Sequence, residues 1–243
     1  MRDLSIIIPA FNAASDIGRT LFSIASFLDE RGCDDEVIVV NDGSDDNTAG
    51  VAQGYAHLFK HFHVLSNERS VGKGHAVRKG MLTGTGSYRL FLDADSAVDI
   101  REFDRLVAAA ENEPIAPGVI IGLLDPHPSH NATSAPAGLA GLTGRILQRA
   151  MLPGIQSSQL GFKVFCGDAA DAIFRRCESN GWAFDVEALA YARGLGYHVL
   201  EVPVAWQGGE VSTVSATDYL TTSLEVARMK SRVEREMAEH ERV

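Results

Sequence analysis

Short apolar runs alternate with amphipathic stretches along the first half of the chain. LSIII at 4–8 and EVIVV at 36–40 are continuous, β-branched runs, the pattern of parallel strands buried on both faces. HVLS at 63–66, YRLFL at 88–92 and GVIIG at 118–122 read as further strands. Between them, residues 16–29 place Ile17, Leu21, Ile24, Ala25 and Leu28 at helical spacing, and residues 45–58 and 72–83 also suit helices. Strand–helix alternation of this kind predicts an α/β fold, a mostly parallel sheet with helices on both faces. In the second half, WAFDVEAL at 182–189 opens a helix expected to run to about Arg193, and HVLEVPVAW at 198–206 is strand-like. A final helix is expected from about Ala216, with Leu220, Leu224 and Ala227 on a packing face, a solvated charged tail and room for an oligomer contact.

At 243 residues and 45% hydrophobic content, the chain suits one large α/β domain. The formal net charge of −10 argues against wholesale binding to nucleic acid or to an anionic membrane, so any phosphate site must be local. Cys33, Cys166 and Cys177 are widely spaced and form no C-x-x-C pair, which fits reduced thiols in a cytoplasmic protein. The sequence holds no apolar run of 18 residues, and its opening stretch reaches Asn12 too soon for a signal peptide. A cytoplasmic location is expected, with at most peripheral contact with a membrane.

In open α/β sheets the ligand site lies beyond the carboxyl ends of the strands. Three polar clusters fall there: PAFN after the first strand, NDGSDDNT at 41–48 after the second, and DAD at 93–95 after the run YRLFL. If the strand continued through them, Asp93 and Asp95 would share a face roughly 6 to 7 Å apart. Two carboxylates so close repel each other unless a cation joins them, and hard oxygen ligands suit Mg2+ or Mn2+. An Asp-rich turn is the plainer alternative. G-x-G-x-x-G after the first strand and the P-loop pattern are both absent. In NERSVGKGHAVRKG at 67–80, Lys73 between Gly72 and Gly74 is a candidate phosphate-side cation at a helix start, whereas Arg78 and Lys79 read as a solvated basic face.

SIIIPAFN, VIVVNDGSDDNT, SVGKGHAVRKG and LFLDADSA, in that order, resemble the GT-A glycosyltransferases of family 2. SSQLGFKVF at 157–165, WAFDVEAL and VPVAW extend the resemblance to the dolichyl-phosphate β-glucosyltransferase branch and its polyprenyl-phosphate relatives. The resemblance implies a GT-A, Rossmann-like sheet with a C-terminal acceptor-side extension. It divides the single domain 1–243 into a nucleotide-sugar half (1–122), a lid and acceptor half (123–215) and a C-terminal helix (216–243). It implies that Pro9 and Asn12 flank the nucleotide, Asp42 contacts base or ribose, Lys73 lies near the nucleotide, and Asp93 sits beside sugar and ribose. Asp95 would bind the metal, Mg2+ or Mn2+. Ala97, where the mannosyl branch carries glutamine, favours UDP-glucose over GDP-mannose.

Asp185 is implied as a base or acceptor contact, with Gln159, Lys163, Trp182 and Glu187 on the acceptor side; Trp206 is either core or a cleft wall. The departures bear on the acceptor. Asn41 replaces a common aspartate, SSQLGFK has Ser157 and Leu160 where the branch has aspartate and cysteine, and EVST at 210–213 lacks a lysine. Residues 137–153 form an amphipathic stretch that is either core or interfacial, preceded by a long polar loop suited to a lid. His127 and His130 read as plain surface, and the acceptor pattern at Asn131 would go unused in the cytoplasm. The expected activity is metal-dependent, inverting transfer of glucose from UDP-glucose to a polyprenyl phosphate. A soluble acceptor and a non-catalytic nucleotide-sugar-binding protein are the rivals.

Overall fold

The structure is a computed structural model that describes residues 3–32, 35–124, 152–156, 160–206, 225–226 and 229–238. Seven strands form one sheet: β1 (Leu4–Ala10), β2 (Glu36–Asn41), β3 (His61–Ser66), β4 (Tyr88–Leu92), β5 (Val119–Leu124), β6 (Phe162–Cys166) and β7 (Val199–Val204). Their order across the sheet is β3-β2-β1-β4-β6-β5-β7. The helices are α1 (Ile17–Arg31), α2 (Thr48–Gly54), α3 (Lys73–Thr83), α4 (Glu102–Glu111), α5 (Gly167–Phe174) and α6 (Phe184–Gly194), with a further helical segment at 229–238.

The five strands expected in the first half are all present, and the sheet is mostly parallel as the alternation predicts. The exception is β6, which runs antiparallel to both β4 and β5. Its sequence, FKVFC, is short and carries a lysine at its second position, so neither periodicity nor hydrophobicity marks it. α4 and α5 were likewise not anticipated. Pro9 is tolerated in the interior strand β1 because it lies past the last β1–β4 pair, Ile7↔Phe91.

Side chains alternate between two cores. Ile7, Phe91, Ile121 and Phe165 pack with α3, α5 and α6. Ile6, Ile8, Leu90, Leu92 and Val164 pack with α1 and α4 on the other face. The tail expected to be solvated also joins the first core: Val226, Met229 and Val233 are buried there and Met237 packs against it. The 229, 233, 237 spacing is a helical stripe masked by the surrounding charges.

The amino ends of the strands are pinned by a buried polar network. Glu36 accepts hydrogen bonds from the Ser5 hydroxyl at 2.7 Å, the Thr85 amide at 2.7 Å and the Thr85 hydroxyl at 2.8 Å, all through one oxygen. The Gly86 amide donates to Ser5 Oγ at 2.7 Å. The lid loop expected at 125–137 and the amphipathic stretch at 137–153, apart from Leu152 and Pro153, lie outside the described residues, as do His127, His130, Asn131, Gln159, Leu220, Leu224 and Ala227. Leu152 is fully buried.

Glu36→Ala should lower unfolding free energy in urea by about 2 kcal/mol or more, because several buried donors lose their acceptor. Ligand binding by the folded variant should not change, since this network sits at the opposite end of the strands from the carboxyl-edge loops.

Candidate active site

β1, β2 and β4 end at one edge of the sheet, and the loops that follow them interlock. Asn12 adopts φ 50, a left-handed conformation that Asn tolerates. Its amide donates to Ser44 Oγ at 3.0 Å, and its Oδ1 accepts from the Asp45 amide at 2.8 Å. The Ala13 amide donates to Thr48 Oγ1 at 2.8 Å and the Ala14 amide to Asp46 Oδ2 at 3.1 Å. Asn41 serves the same framework, accepting from the Ser44 amide and hydroxyl and donating to Ser66 Oγ. An aspartate there would lack that amide donor.

Asp42 is almost wholly buried and holds the loop ahead of α3. Its carboxylate accepts from Asn67 Nδ2 and Ser70 Oγ, each at 2.7 Å, and from the amides of Val71 and Gly72. Burial pushes its pKa up, but the donors from Ser70, Val71, Gly72 and Asn67 outweigh it and hold the carboxyl below its ordinary value. Gly72 has φ +123, and a Cβ there would lie 2.4 Å from the Asn180 carbonyl oxygen, so only glycine suits the turn into α3. Arg78 and Lys79, read from the sequence as solvated, are tethered instead: Arg78 Nη1 donates to the Cys177 carbonyl at 2.6 Å and Lys79 Nζ to Asn67 Oδ1 at 2.9 Å.

This turn delivers Lys73 to the centre of the edge. Its Nζ lies 2.7 Å from Asp93 Oδ1, 4.9 Å from the centroid of the Trp182 ring and 5.4 Å from that of Phe91. Burial alone would lower its pKa; Asp93 first, then Asp185 and Asp95, reverse that and hold it above the ordinary lysine value. These carboxylates favour the charged form of Lys73, which is clamped between a carboxylate and two aromatic rings.

β4 stops at Leu92, and residues 94 and 95 form a turn closed by the Ser96 amide on the Asp93 carbonyl at 3.3 Å. Ser96 takes φ 54, and its hydroxyl bonds Thr20 Oγ1, which in turn donates to the Ala94 carbonyl. The same-face spacing expected of a continuing strand therefore does not apply. Asp93 turns to Lys73, while Asp95 is exposed. Asp95 Oδ1 accepts from the Ala97 amide at 3.1 Å, and its other oxygen has no hydrogen-bond partner among the described residues. Among those residues no three carboxylate, imidazole or thiol groups converge on one point. A cation at Asp95 would draw its remaining ligands from water and a bound diphosphate, a donor set that Mg2+ accepts. One open, hard oxygen on an exposed turn fits that coordination.

A second ion pair lies beneath the first. Lys163, the second residue of β6, reaches Asp185 Oδ1 at 2.6 Å and donates to the Leu160 carbonyl at 2.6 Å. Its Nζ is 5.4 Å from the same Phe91 ring that Lys73 touches. Burial raises the Asp185 pKa, with Lys163 and then Lys73 pulling against it. Lys163 and Asp185, expected on the acceptor side, are thus almost fully buried and paired with each other. Glu187 is also fully buried, accepting from the amides of Glu178 at 3.0 Å and Ser179 at 2.8 Å and pairing with Arg232. Trp182, 36% exposed, is the acceptor-side candidate at the surface. Pro9 is buried within β1. Trp206, 37% exposed, bridges to Val98 just after the DAD turn.

Sequence reading missed Gly161. Its carbonyl accepts from the Asp93 amide at 3.1 Å, and a Cβ at 161 would lie 1.8 Å from Asp93 Oδ2. The sequence gives little sign of this role, because β6, the strand that Gly161 precedes, is itself unmarked.

Residues 5–175 match the family model described as Glycosyl transferase family 2. The chain belongs to glycosyl transferase family 2. A dolichyl-phosphate beta-glucosyltransferase of Trichomonas vaginalis is 32% identical over 212 residues, which cover 83% of this chain and 63% of that protein. One of Dictyostelium discoideum is 30% identical over 243 residues, covering 93% and 72%. The chain thus spans 63% to 72% of the length of these two curated relatives. Among solved structures, the glucosyl-3-phosphoglycerate synthase of Mycobacterium tuberculosis in complex with Mn2+, UDP and glucosyl-3-phosphoglycerate superimposes with a TM-score of 0.71 at 17% identity, covering 96% of this chain and 80% of that one. The likeness establishes a GT-A fold for this family 2 glycosyltransferase.

Gly161→Ala should force Asp93 away from Lys73. Displacing a reacting-site group by about 1 Å can cost on the order of 100-fold, so turnover should fall by about 10- to 100-fold while circular dichroism stays native. Unchanged turnover would show that the position of Asp93 does not matter.

Proposed function

We propose that this family 2 glycosyltransferase moves glucose from UDP-glucose to a polyprenyl phosphate with inversion, using Mg2+ or Mn2+. The observation that carries the reading is Lys73 locked on Asp93 at 2.7 Å beside the open carboxylate of Asp95. The names of the relatives near 30% identity support the sugar and the acceptor class. The Mn2+ and UDP bound to a protein of the same fold support the metal and the nucleotide.

In this reading Asn12 and the 41–48 loop border the nucleotide, and Asp42 contacts the base or ribose from its loop-anchoring position. Cleaving the bond from the anomeric carbon to the diphosphate leaves negative charge on UDP. A divalent ion held by Asp95 would stabilise that charge as a Lewis acid. Lys73 supplies a fixed positive charge at the same place, and Asp93 orients the sugar. An acceptor phosphate oxygen attacks the opposite face of the anomeric carbon, forming one carbon–oxygen bond as the other breaks. A phosphate monoester is already mostly a dianion at pH 7, so no proton has to be removed. Asp185, buried against Lys163, suits a positioning group better than a base exposed to the acceptor. Trp182 is the acceptor-side wall, and Gln159 a further acceptor contact. No helix among the described residues is long and apolar enough to cross a membrane. We place the reaction at the cytoplasmic face, with the lipid acceptor reached from the interface.

Calorimetry with UDP should show affinity that rises with Mn2+, and Asp95→Asn should remove most of that rise. Unchanged metal dependence in the variant would exclude Asp95 as the ligand. Turnover screened over nucleotide sugars and acceptors, including short-chain polyprenyl phosphates and small phosphorylated alcohols, should be highest with UDP-glucose and the polyprenyl phosphate.

Asp185→Asn should lower turnover of the folded enzyme on polyprenyl phosphate by less than about 100-fold, below the usual range for a lost general base. A larger loss, with the basic limb of the pH profile gone, would point to a hydroxyl acceptor.

A further inference from the structure

Glu187 and the C-terminal helical segment have no part in the chemistry above, yet they are joined to it by contact. Glu187 is fully buried on α6. One of its oxygens caps the amides of Glu178 and Ser179, and the other pairs with Arg232, which also bonds Glu178. The turn capped in this way supports the start of α3 from below. The Asn180 carbonyl accepts from the His75 amide at 3.2 Å. A Cβ at Gly74 would lie 2.4 Å from the Ser179 carbonyl oxygen, so backbone rests on backbone. Arg78 binds the Cys177 carbonyl at 2.6 Å, and Trp182, the last residue of the turn, stacks on Lys73.

We propose that Arg232 is a positioning residue for Lys73: through Glu187 it fixes the 178–182 turn, and that turn sets where α3 begins. A buried carboxylate that loses its cation is strongly disfavoured. Without Arg232, Glu187 must therefore rotate out or take up a proton, and its hold on the two turn amides weakens. The helical segment itself has other anchors. Met229 and Val233 are buried, and the Tyr191 hydroxyl donates to Glu236 at 2.9 Å. Removing Arg232 should loosen the turn without undocking the segment.

The test is amide hydrogen exchange read by mass spectrometry on the full chain, together with UDP affinity in Mn2+, the latter resting on the proposed nucleotide site. Arg232→Met should speed exchange in peptides covering 72–76 and 178–182 and weaken UDP binding by about 2- to 30-fold, the span seen for indirect positioning. Adding Glu187→Gln should reverse both changes, because the amide oxygen of glutamine still accepts from the turn and needs no cation. Arg232→Lys, which keeps the charge but loses the planar fork that reaches two carboxylates, should be intermediate. If Arg232→Met does not fold, the comparison rests on Arg232→Lys with and without Glu187→Gln. Faster exchange confined to 225–238, with 72–76 unchanged, would overturn the proposal, as would a double variant no better than the single one. If exchange responds as expected but the wild type binds no UDP, Arg232 keeps its role and the nucleotide reading falls.

Discussion

A chain with a net charge of −10 gathers Asp42, Asp93, Asp95 and Asp185 at one end of its sheet, and the contact between Lys73 and Asp93 is what makes that crowding tolerable. The ammonium cannot wander: two rings flank it and the glycine turn fixes its backbone. With its pKa raised, it stays charged wherever the enzyme would work. The surrounding features serve this placement. Asp42 secures the turn from above, the 178–182 segment supports it from below, and Gly161 leaves room for the carboxylate it faces.

Phe91 links this pair to the one beneath. Its ring has an ammonium 5.4 Å from its centroid on either account, Lys73 from α3 and Lys163 from β6. The two lysines meet opposite carboxylates, Asp93 at the partly exposed level and Asp185 at the buried one. Charge is thereby graded from a sealed interior to an open Asp95. In the proposed reading a substrate diphosphate would meet one unmatched carboxylate at this edge, which a divalent ion would convert from a repulsive group into an attractive one.

Much of this was legible in the sequence. β-branched runs marked the parallel strands because such strands are buried on both faces, and the polar clusters after them marked the edge where ligands bind. Lys73 stood out because glycines flank it. What escaped were roles that depend on contacts between distant segments. Gly161 and Asp93 meet only because β6 folds back beside β4. The pairing of Glu187 with Arg232 has no local sign, because Arg232 lies in a tail whose charge hides the stripe of Met229, Val233 and Met237. Arg78 and Lys79 seemed solvated because nothing local shows that Cys177 and Asn67 offer them acceptors.

The antiparallel placement of β6 between β4 and β5 also bears on how the chain can be divided. By sequence, a cut near residue 122 separates the strands followed by PAFN, NDGSDDNT and DAD from the rest. It would run through β5, take β6 from the side of β4 that faces away from β1, and part β5 from β6 and β7, giving unpaired apolar edges of the kind that seek other chains. The two intervals are therefore not modules that evolution or an engineer could exchange freely. A graft that aims to alter acceptor choice would have to carry β6 with it or rebuild the seam.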